Sequence, residues 1–295
     1  MSRPVQIVTD SCSDMPKEIR EKYDIDYVRM NTVYEGKETP ASLDFEYYSP
    51  QDLYNTMRNG GRITTTQVPV DEFERVFGKY LEEGKDIVYI GCALKQSSSV
   101  NTGAVVAKRL LESYPDAKIY CIDALNACFG EALVAMRAAE YRDQGFSADE
   151  VAEKTMADRN FVNEYCTVHT LDYMKRAGRI TASKAFFGNL FGVKPIIIAD
   201  RVGAQTGYKK VKGRQTSMQE IVNLMKETII DPENQTIYLL HGDCLDEALE
   251  LEKMVKESIP CKDVYISYIG PIIGASLGPD ALVLYAWGQE VTFEG

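Results

Sequence analysis

The strongest constraint on this chain is a recurring unit: a short β-rich run, a compact loop, then a helix. Val5–Thr9 ends in Asp10-Ser11-Cys12-Ser13-Asp14, and Pro16 sits where the first turn of a helix running through Tyr23 would start. Ile87–Gly91 leads through Ser97-Ser98-Ser99 into a helix from about Asn101 to Ser113. Lys118–Asp123 leads in the same way to a helix over Glu131–Arg142. Strands that alternate with helices argue for a doubly wound sheet. Between the first two units lie an alternating strand, Ile25–Val33, and a helix, Ser49–Arg58, capped by Ser49 with Pro50 in its first turn. A hydroxyl-rich loop, Thr64-Thr65-Thr66-Gln67, then runs into Asp71-Glu72, the acidic first turn of a further helix.

From about Asp158 the texture changes. Tyr165–Thr170 reads as a strand, and a hairpin is expected across Asp200–Arg214 with Gly203 and Gly207. A helix follows at about Ser217–Ile229, a strand at Thr236–His241, a helix at Asp246–Ser258, a strand at Asp263–Ile269 and a final strand at Leu282–Trp287. A length of 295 residues favours two domains over one. The expectation is an N-terminal doubly wound α/β domain over residues 1–160 and a C-terminal α+β domain over residues 161–295. No Pro/Ser-rich linker separates them, so the boundary rests on the change of pattern alone. The run Gly270–Pro279, spaced GPxxGxxxGP, reads as a loop of irregular backbone able to approach a ligand closely.

Charge narrows the function. Acidic residues outnumber Lys plus Arg by 44 to 33, a formal charge of −11. Such a chain repels a phosphate backbone or an anionic membrane surface, which argues against nucleic acid as a partner. No run approaches membrane-spanning length and the opening MSRPVQIVTD has no apolar signal core, so stable membrane insertion is not expected. Seven cysteines without a CxxC pattern fit reduced thiols in a cytoplasm. With only His169 and His241, and no HxxxH or Cys/His cluster, neither a zinc site nor a cofactor is expected.

In open α/β sheets ligands collect beyond the carboxyl ends of the strands, where helix N-termini offer free N–H groups. The Thr64–Gln67 and Ser97–Ser99 loops both fall there, and their hydroxyls can donate to a carboxylate that is costly to bury unpaired. Ser and Thr before helices are also ordinary caps, so both readings stand. The stretch Met174–Asp200 adds a cationic turn, Lys175, Arg176 and Arg179, ahead of Lys184-Ala185-Phe186-Phe187 and the apolar run Pro195–Ala199. Fixed positive charge beside an aromatic and aliphatic element suits an anionic head on an apolar body, although core beside surface gives the same pattern.

Along nearly its whole length the chain resembles the DegV family of bacterial lipid-binding proteins. IVTDSCSDMP looks like that family's opening strand and loop, and TTTQVPVDEF matches its TSQPSPxEF segment, with Thr65 on the threonine and Thr66 on the serine. IGCALKQSSSVNTG lies without gaps on IGLSSGLSGTYNTG, which puts Ser97 on the ligand-contacting serine. LDYMKRAGRITASKAFFGNLFGVKPII is close to LEYLKKGGRISKAKAFLGNLLNIKPIL, and IGPIIGASLGPDAL corresponds to IGPVIGAHTGPGAL. The resemblance implies one long-chain fatty acid in a tunnel between the two domains, with its carboxylate on Thr65 and Ser97. It also implies that some members present the acid to a separate fatty acid kinase feeding phospholipid synthesis, the protein itself being non-catalytic.

Carried onto this sequence, Thr65, Ser97, Ser276 and Arg179 are expected at the carboxylate. Thr66, Ser98, Phe186, Phe187, Leu190, Phe191, Ile196, Ile273 and Gly274 are expected along the tail or its loops, and Arg214 at a kinase or phosphate contact. The chain departs from the family at Ser276, where the family has histidine, and at Leu277, where it has threonine. A serine offers only a neutral hydroxyl where histidine can carry charge or relay a proton, which weakens the link to a kinase. A carrier or sensor uncoupled from any kinase therefore stays open. His241 is expected to satisfy local backbone and Lys95, unusual for its position, to be solvated. A serine hydrolase would need a positioned base and the GxSxG elbow that is missing here, and a nucleotide-binding kinase would need a phosphate loop of the Walker A kind.

Overall fold

The computed structural model describes residues 3–181, 186 and 192–295. The first half runs β1 (Val5–Asp10), α1 (Lys17–Lys22), β2 (Ile25–Val28), β3 (Asn31–Tyr34), β4 (Lys37–Pro40), α2 (Pro50–Arg58) and β5 (Thr64–Thr66). It continues through α3 (Val70–Glu82), β6 (Asp86–Gly91), α4 (Ser99–Leu111), β7 (Ile119–Asp123), α5 (Phe129–Asp143) and α6 (Ala148–Asp158). The second half runs β8 (Val162–Thr167), α7 (Asp172–Ala177), β9 (Val193–Ala199), β10 (Gln205–Lys212) and α8 (Arg214–Thr228). Then come β11 (Thr236–His241), α9 (Leu245–Ser258), β12 (Asp263–Tyr268), α10 (Pro271–Leu277) and β13 (Leu282–Trp287).

The doubly wound sheet is present: β2-β1-β6-β7, parallel throughout, with Ile7 beside both Ile25 and Val88. Every residue of β1 and β6 is buried, as strands covered on both faces require. α3 packs with α4, and α5 with α6, each pair against this sheet. The second sheet, β10-β9-β8-β13-β11-β12, is antiparallel except for the β11/β12 pair. Helices α8 and α9 cover one face of it, burying Ile196, Ile221, Leu239 and Leu251 together.

Helix α5 lies between the two sheets, against β1 and β6 on one side and β8 and β13 on the other. Its position explains its composition. Ten of its residues are buried, and Ala132, Ala135, Ala138 and Ala139 have small side chains that let two sheets approach one helix. A helix buried all round shows no polar stripe. At its start Phe129 stacks on Tyr238 of β11, ring centroids 4.1 Å apart and 19° from parallel. Outside that helix the two halves are tied by Tyr54, which donates to the Ile269 carbonyl at 2.8 Å, and by Arg58, which pairs with Asp243 at 2.5 Å and Asp280 at 2.8 Å.

Three expectations are corrected. Ile25–Val33 is two strands in different sheets, β2 beside β1 and β3 in a three-stranded sheet, β4-β3-β5. The break falls at Arg29-Met30, whose N–H groups donate to the Glu72 carboxylate at 3.1 Å and the Ser11 hydroxyl at 2.9 Å in place of a ladder partner. The Thr64–Thr66 loop is a strand, with Thr65 opposite Thr32. The Gly270–Pro279 loop contains a helix, α10: its proline occupies the first helical turn and Gly278, at φ 83°, stops it. Among the described residues no helix is long and apolar enough to cross a membrane.

Candidate functional site

Beyond the carboxyl ends of β1 and β6 lies a cavity of about 200 Å³. Thr65, Thr66 and Gln67 form one side of it, Gln96, Ser97 and Ser98 a second, and Ile272, Ile273 and Ser276 of α10 a third. Cys12, Met30 and Cys92 complete the lining together with Arg179. A neighbouring cavity of about 110 Å³ shares Thr65, Arg179 and Ser276 with the first and adds Arg62 and Arg176. Four of the sequence candidates for a carboxylate site, from four separate segments, thus line one space.

Local structure explains how they are held. Ser99 is fully buried at the start of α4; its hydroxyl accepts the Val68 N–H at 3.1 Å and lies 2.9 Å from the Ser97 hydroxyl. Ser97 also accepts the Ser99 N–H at 3.2 Å. With Ser99 donating to Ser97, the proton of Ser97 is left for a group in the cavity. Gln67 reaches Thr102 at 3.1 Å, so the strand that carries Thr65 is pinned to α4 twice. Arg179 follows Gly178, whose φ of 66° ends α7 in the left-handed conformation glycine allows. Its Nε donates to the Gln96 carbonyl at 2.6 Å and Nη1 to the Ala177 carbonyl at 3.1 Å. Among the described residues no carboxylate lies within ion-pair distance of Arg179, in a chain with 44 acidic residues.

Thr66, Ser98 and Ile273, expected along the tail or its loops, line the same cavity, and the remaining candidates lie elsewhere. Ile196 is buried in the second core against α8 and not at the cavity, because its neighbour Ile197 takes the opposite face of β9. Gly274 faces Tyr54, whose hydroxyl would stand 2.7 Å from an added Cβ, and so serves the packing of α10 on α2. Arg214 pairs with Glu247 at 2.7 Å and donates to the Asp280 carbonyl at 2.7 Å, away from both cavities. Phe186 is buried over Gly207 of β10. Phe187, Leu190 and Phe191 lie outside the described residues. His241 accepts the Cys244 N–H at 3.2 Å, and burial pushes its imidazole down to about 4, so it serves local backbone as expected. Lys95 is exposed.

Below the hydroxyls sits buried acid that sequence reasoning did not single out. Asp10 accepts N–H groups from Cys12 at 2.8 Å and Cys92 at 3.1 Å and a Tyr89 hydroxyl at 2.7 Å, yet burial still raises its carboxyl above the usual range. Burial and the charge of Asp10 push Glu131 well above its usual range. Asp14 is buried with only the Cys128 thiol and the Gly270 N–H beside it to favour its charge, and burial outweighs them and pushes it up to about 7. The signal for the cavity's sulfur residues was topological: Cys12 and Cys92 directly follow parallel strands, at the crest where ligands collect.

Asp14 yields a prediction about pH. Its folded pKa of about 7 lies above the usual 3.8, so the native state holds the proton more tightly and stability is lost as pH rises between these values. His241 acts oppositely, losing stability only as pH falls below about 6.5. Between pH 5 and 8, Asp14→Asn is expected to remove about 2–3 kcal/mol of pH dependence from the unfolding free energy. Urea unfolding at both pH values checks this; identical pH dependence in the two proteins would show that Asp14 is not neutral when folded.

A parallel α/β sheet joined through one helix to a mixed six-stranded sheet, with a cavity at the parallel crest, defines the class: a two-sheet α/β protein built around a crest pocket. The chain belongs to the DegV family, whose model, described as an uncharacterised protein of that family, matches residues 4–287. It is 33% identical over 283 residues to a DegV domain-containing protein of Clostridium perfringens, covering 96% of this chain and 97% of that one. Its structure is similar to that of a DegV lipid binding protein from Thermotoga maritima, with a TM-score of 0.83, 26% identity, and 98% and 99% of the two chains covered. A stearic acid-binding protein from Eubacterium ventriosum matches with a TM-score of 0.83 and 25% identity, over 95% of this chain and 97% of that one.

Proposed function

We propose that this protein binds one long-chain fatty acid without transforming it, at the seam between a domain of residues 1–160 and a domain of residues 161–295. The carboxylate is held by the hydroxyls of Thr65 and Ser97, with Ser276 beside it and the Arg179 guanidinium at the rim. The observation that carries this reading is that these four residues line one cavity, where Arg179 has no acidic partner among the described residues. Charge-assisted hydrogen bonds of this kind suit a carboxylate. The lipid-binding relatives from Thermotoga and Eubacterium support the same ligand class.

The tail contributes most of the affinity. Each buried methylene is worth roughly 0.8 kcal/mol, so about a dozen give on the order of 10 kcal/mol before association costs. A cavity of about 200 Å³ is below the ~300 Å³ at which ligand pockets begin, so the tail needs the apolar core beside Ile273 to part. In this reading Ile273 is a tail contact, Phe186 becomes one when the apolar cluster it shares with Ile273 parts, and Ile196 is core.

No histidine is among the described residues lining either cavity, so a serine nucleophile there would lack a histidine base. This favours a carrier over a hydrolase. We place the carrier in a bacterial cytoplasm, in keeping with seven free thiols. Mass spectrometry of purified protein, native and denatured, tests the reading. One long-chain acid per chain is expected, and no acid bound even after incubation with saturated and unsaturated acids would overturn it. Service to a fatty acid kinase is the finer part of the reading, and Ser276 is its test. Ser276→His is expected to raise acyl phosphate formation when a fatty acid kinase is supplied; unchanged turnover would show that Ser276 does not limit that role.

A further inference from the structure

The two cysteines lining the cavity meet a buried carboxylate. Cys12 follows β1, Cys92 follows the neighbouring β6, and Glu131 comes from the first turn of α5. Both Sγ atoms and a Glu131 carboxylate oxygen lie within 4.8 Å of one another, and each residue is at most 2% exposed. Tetrahedral coordination at bonds of 2.0–2.3 Å puts donor atoms about 3.3–3.8 Å apart, within reach of small side-chain rotations.

Glu131 is half satisfied. Its Oε1 accepts the Thr9 hydroxyl at 2.7 Å and the Asp10 N–H at 3.3 Å, while Oε2 is sealed from solvent with no donor among the described residues. An unpaired buried carboxylate oxygen is costly, and a cation removes that cost. Asp10 accepts the backbone N–H groups of both cysteines, which orients the two thiols from behind, as supporting groups do around metal ligands. The Met30 sulfur lies 3.5 Å from the Cys12 sulfur, adding a soft atom at the same place. Cys12, Met30 and Cys92 all line the cavity, which supplies an entry path.

We propose that Cys12, Cys92 and Glu131 form a binding site for a thiophilic divalent cation of the Zn²⁺ type, with its fourth position facing the cavity. Binding converts two thiols to thiolates and Glu131 to its carboxylate form, and the displaced protons leave to solvent. Two sulfurs and one oxygen select Zn²⁺, Cd²⁺ or Co²⁺ over Mg²⁺ and Ca²⁺, which take oxygen alone. The site shares the cavity with the proposed carboxylate contacts but uses none of them as a ligand, so metal binding and fatty acid binding are read out separately.

The test is titration of reduced, chelator-treated protein with Co²⁺, followed by absorbance. One equivalent is expected to give a thiolate-to-metal charge-transfer band and the strong visible bands of a tetrahedral site. Cys12→Ser and Cys92→Ser are each expected to lose that spectrum, while Glu131→Gln keeps the charge-transfer band and weakens binding roughly tenfold or more. Cys121→Ser/Cys244→Ser/Cys261→Ser, which removes the three partly exposed thiols, is expected to leave the spectrum intact. Where a cysteine variant fails to fold, X-ray absorption of the Zn²⁺-loaded triple variant decides: two sulfur neighbours support the site. Absence of a thiolate band, its survival in Cys12→Ser or Cys92→Ser, or its loss in the triple variant overturns it.

Discussion

Thr65→Val combined with Ser97→Ala is expected to abolish stoichiometric fatty acid retention while leaving the fold intact. Each hydroxyl donating to a carboxylate contributes about 1.5–3 kcal/mol, so losing both weakens binding by roughly 10²–10⁴-fold. The cost to the fold is small by comparison. Thr65 is exposed on β5, where valine is an equally good strand former. Ser97 is half-buried, and removing its hydroxyl breaks its contacts with Ser99, worth about 1 kcal/mol. The measurement is lipid content by extraction and mass spectrometry, with circular dichroism and thermal unfolding to confirm the fold. Undiminished lipid in a folded double variant would refute the carboxylate assignment.

The largest effect on stability is expected from Phe129→Ala, at about 3–5 kcal/mol. Phe129 is fully buried, stacks on Tyr238 at 4.1 Å and lies 6.5 Å from the Tyr265 ring. It begins the helix that both sheets share, so truncation leaves a void facing β11 that neither sheet can close without moving away from α5. For a chain of this size that loss lowers Tm by roughly 5–8 °C. Chemical denaturation at constant slope checks it, and a loss below about 1 kcal/mol would mean that the site collapses freely around the missing ring. Because α5 bridges the two sheets, the variant is expected to lose signals from both together.

Element type was legible wherever short-range chemistry decided it. The capping box joining Ser49 to Asp52 and the proline after it open α2 where the sequence places a helix. Short apolar-rich runs located β11 and β13 to the residue. Reading failed where a distant side chain took over a backbone partner, as Ser11 and Glu72 do when they split Ile25–Val33. It failed again at Gly270–Pro279, where proline and glycine were read as loop formers although at this spacing they start and stop a short helix.

The candidate site divides along the same line. Thr65, Ser97 and Arg179 stand out because hydroxyls and guanidinium groups advertise anion chemistry wherever they occur. Arg214 and Ile196 carried comparable signals, yet one is bound to Glu247 and the other faces α8. Cys12, Cys92 and Glu131 carried almost none, since cysteines without a CxxC pattern and one acid in a helix are ordinary. Sequence by itself determined most of the strands and helices and which side chains could receive an anion, because propensity, capping and donor chemistry act over a few residues. Tertiary structure alone decided which of those side chains share a cavity, since strand order and the two faces of each element set proximity across the chain.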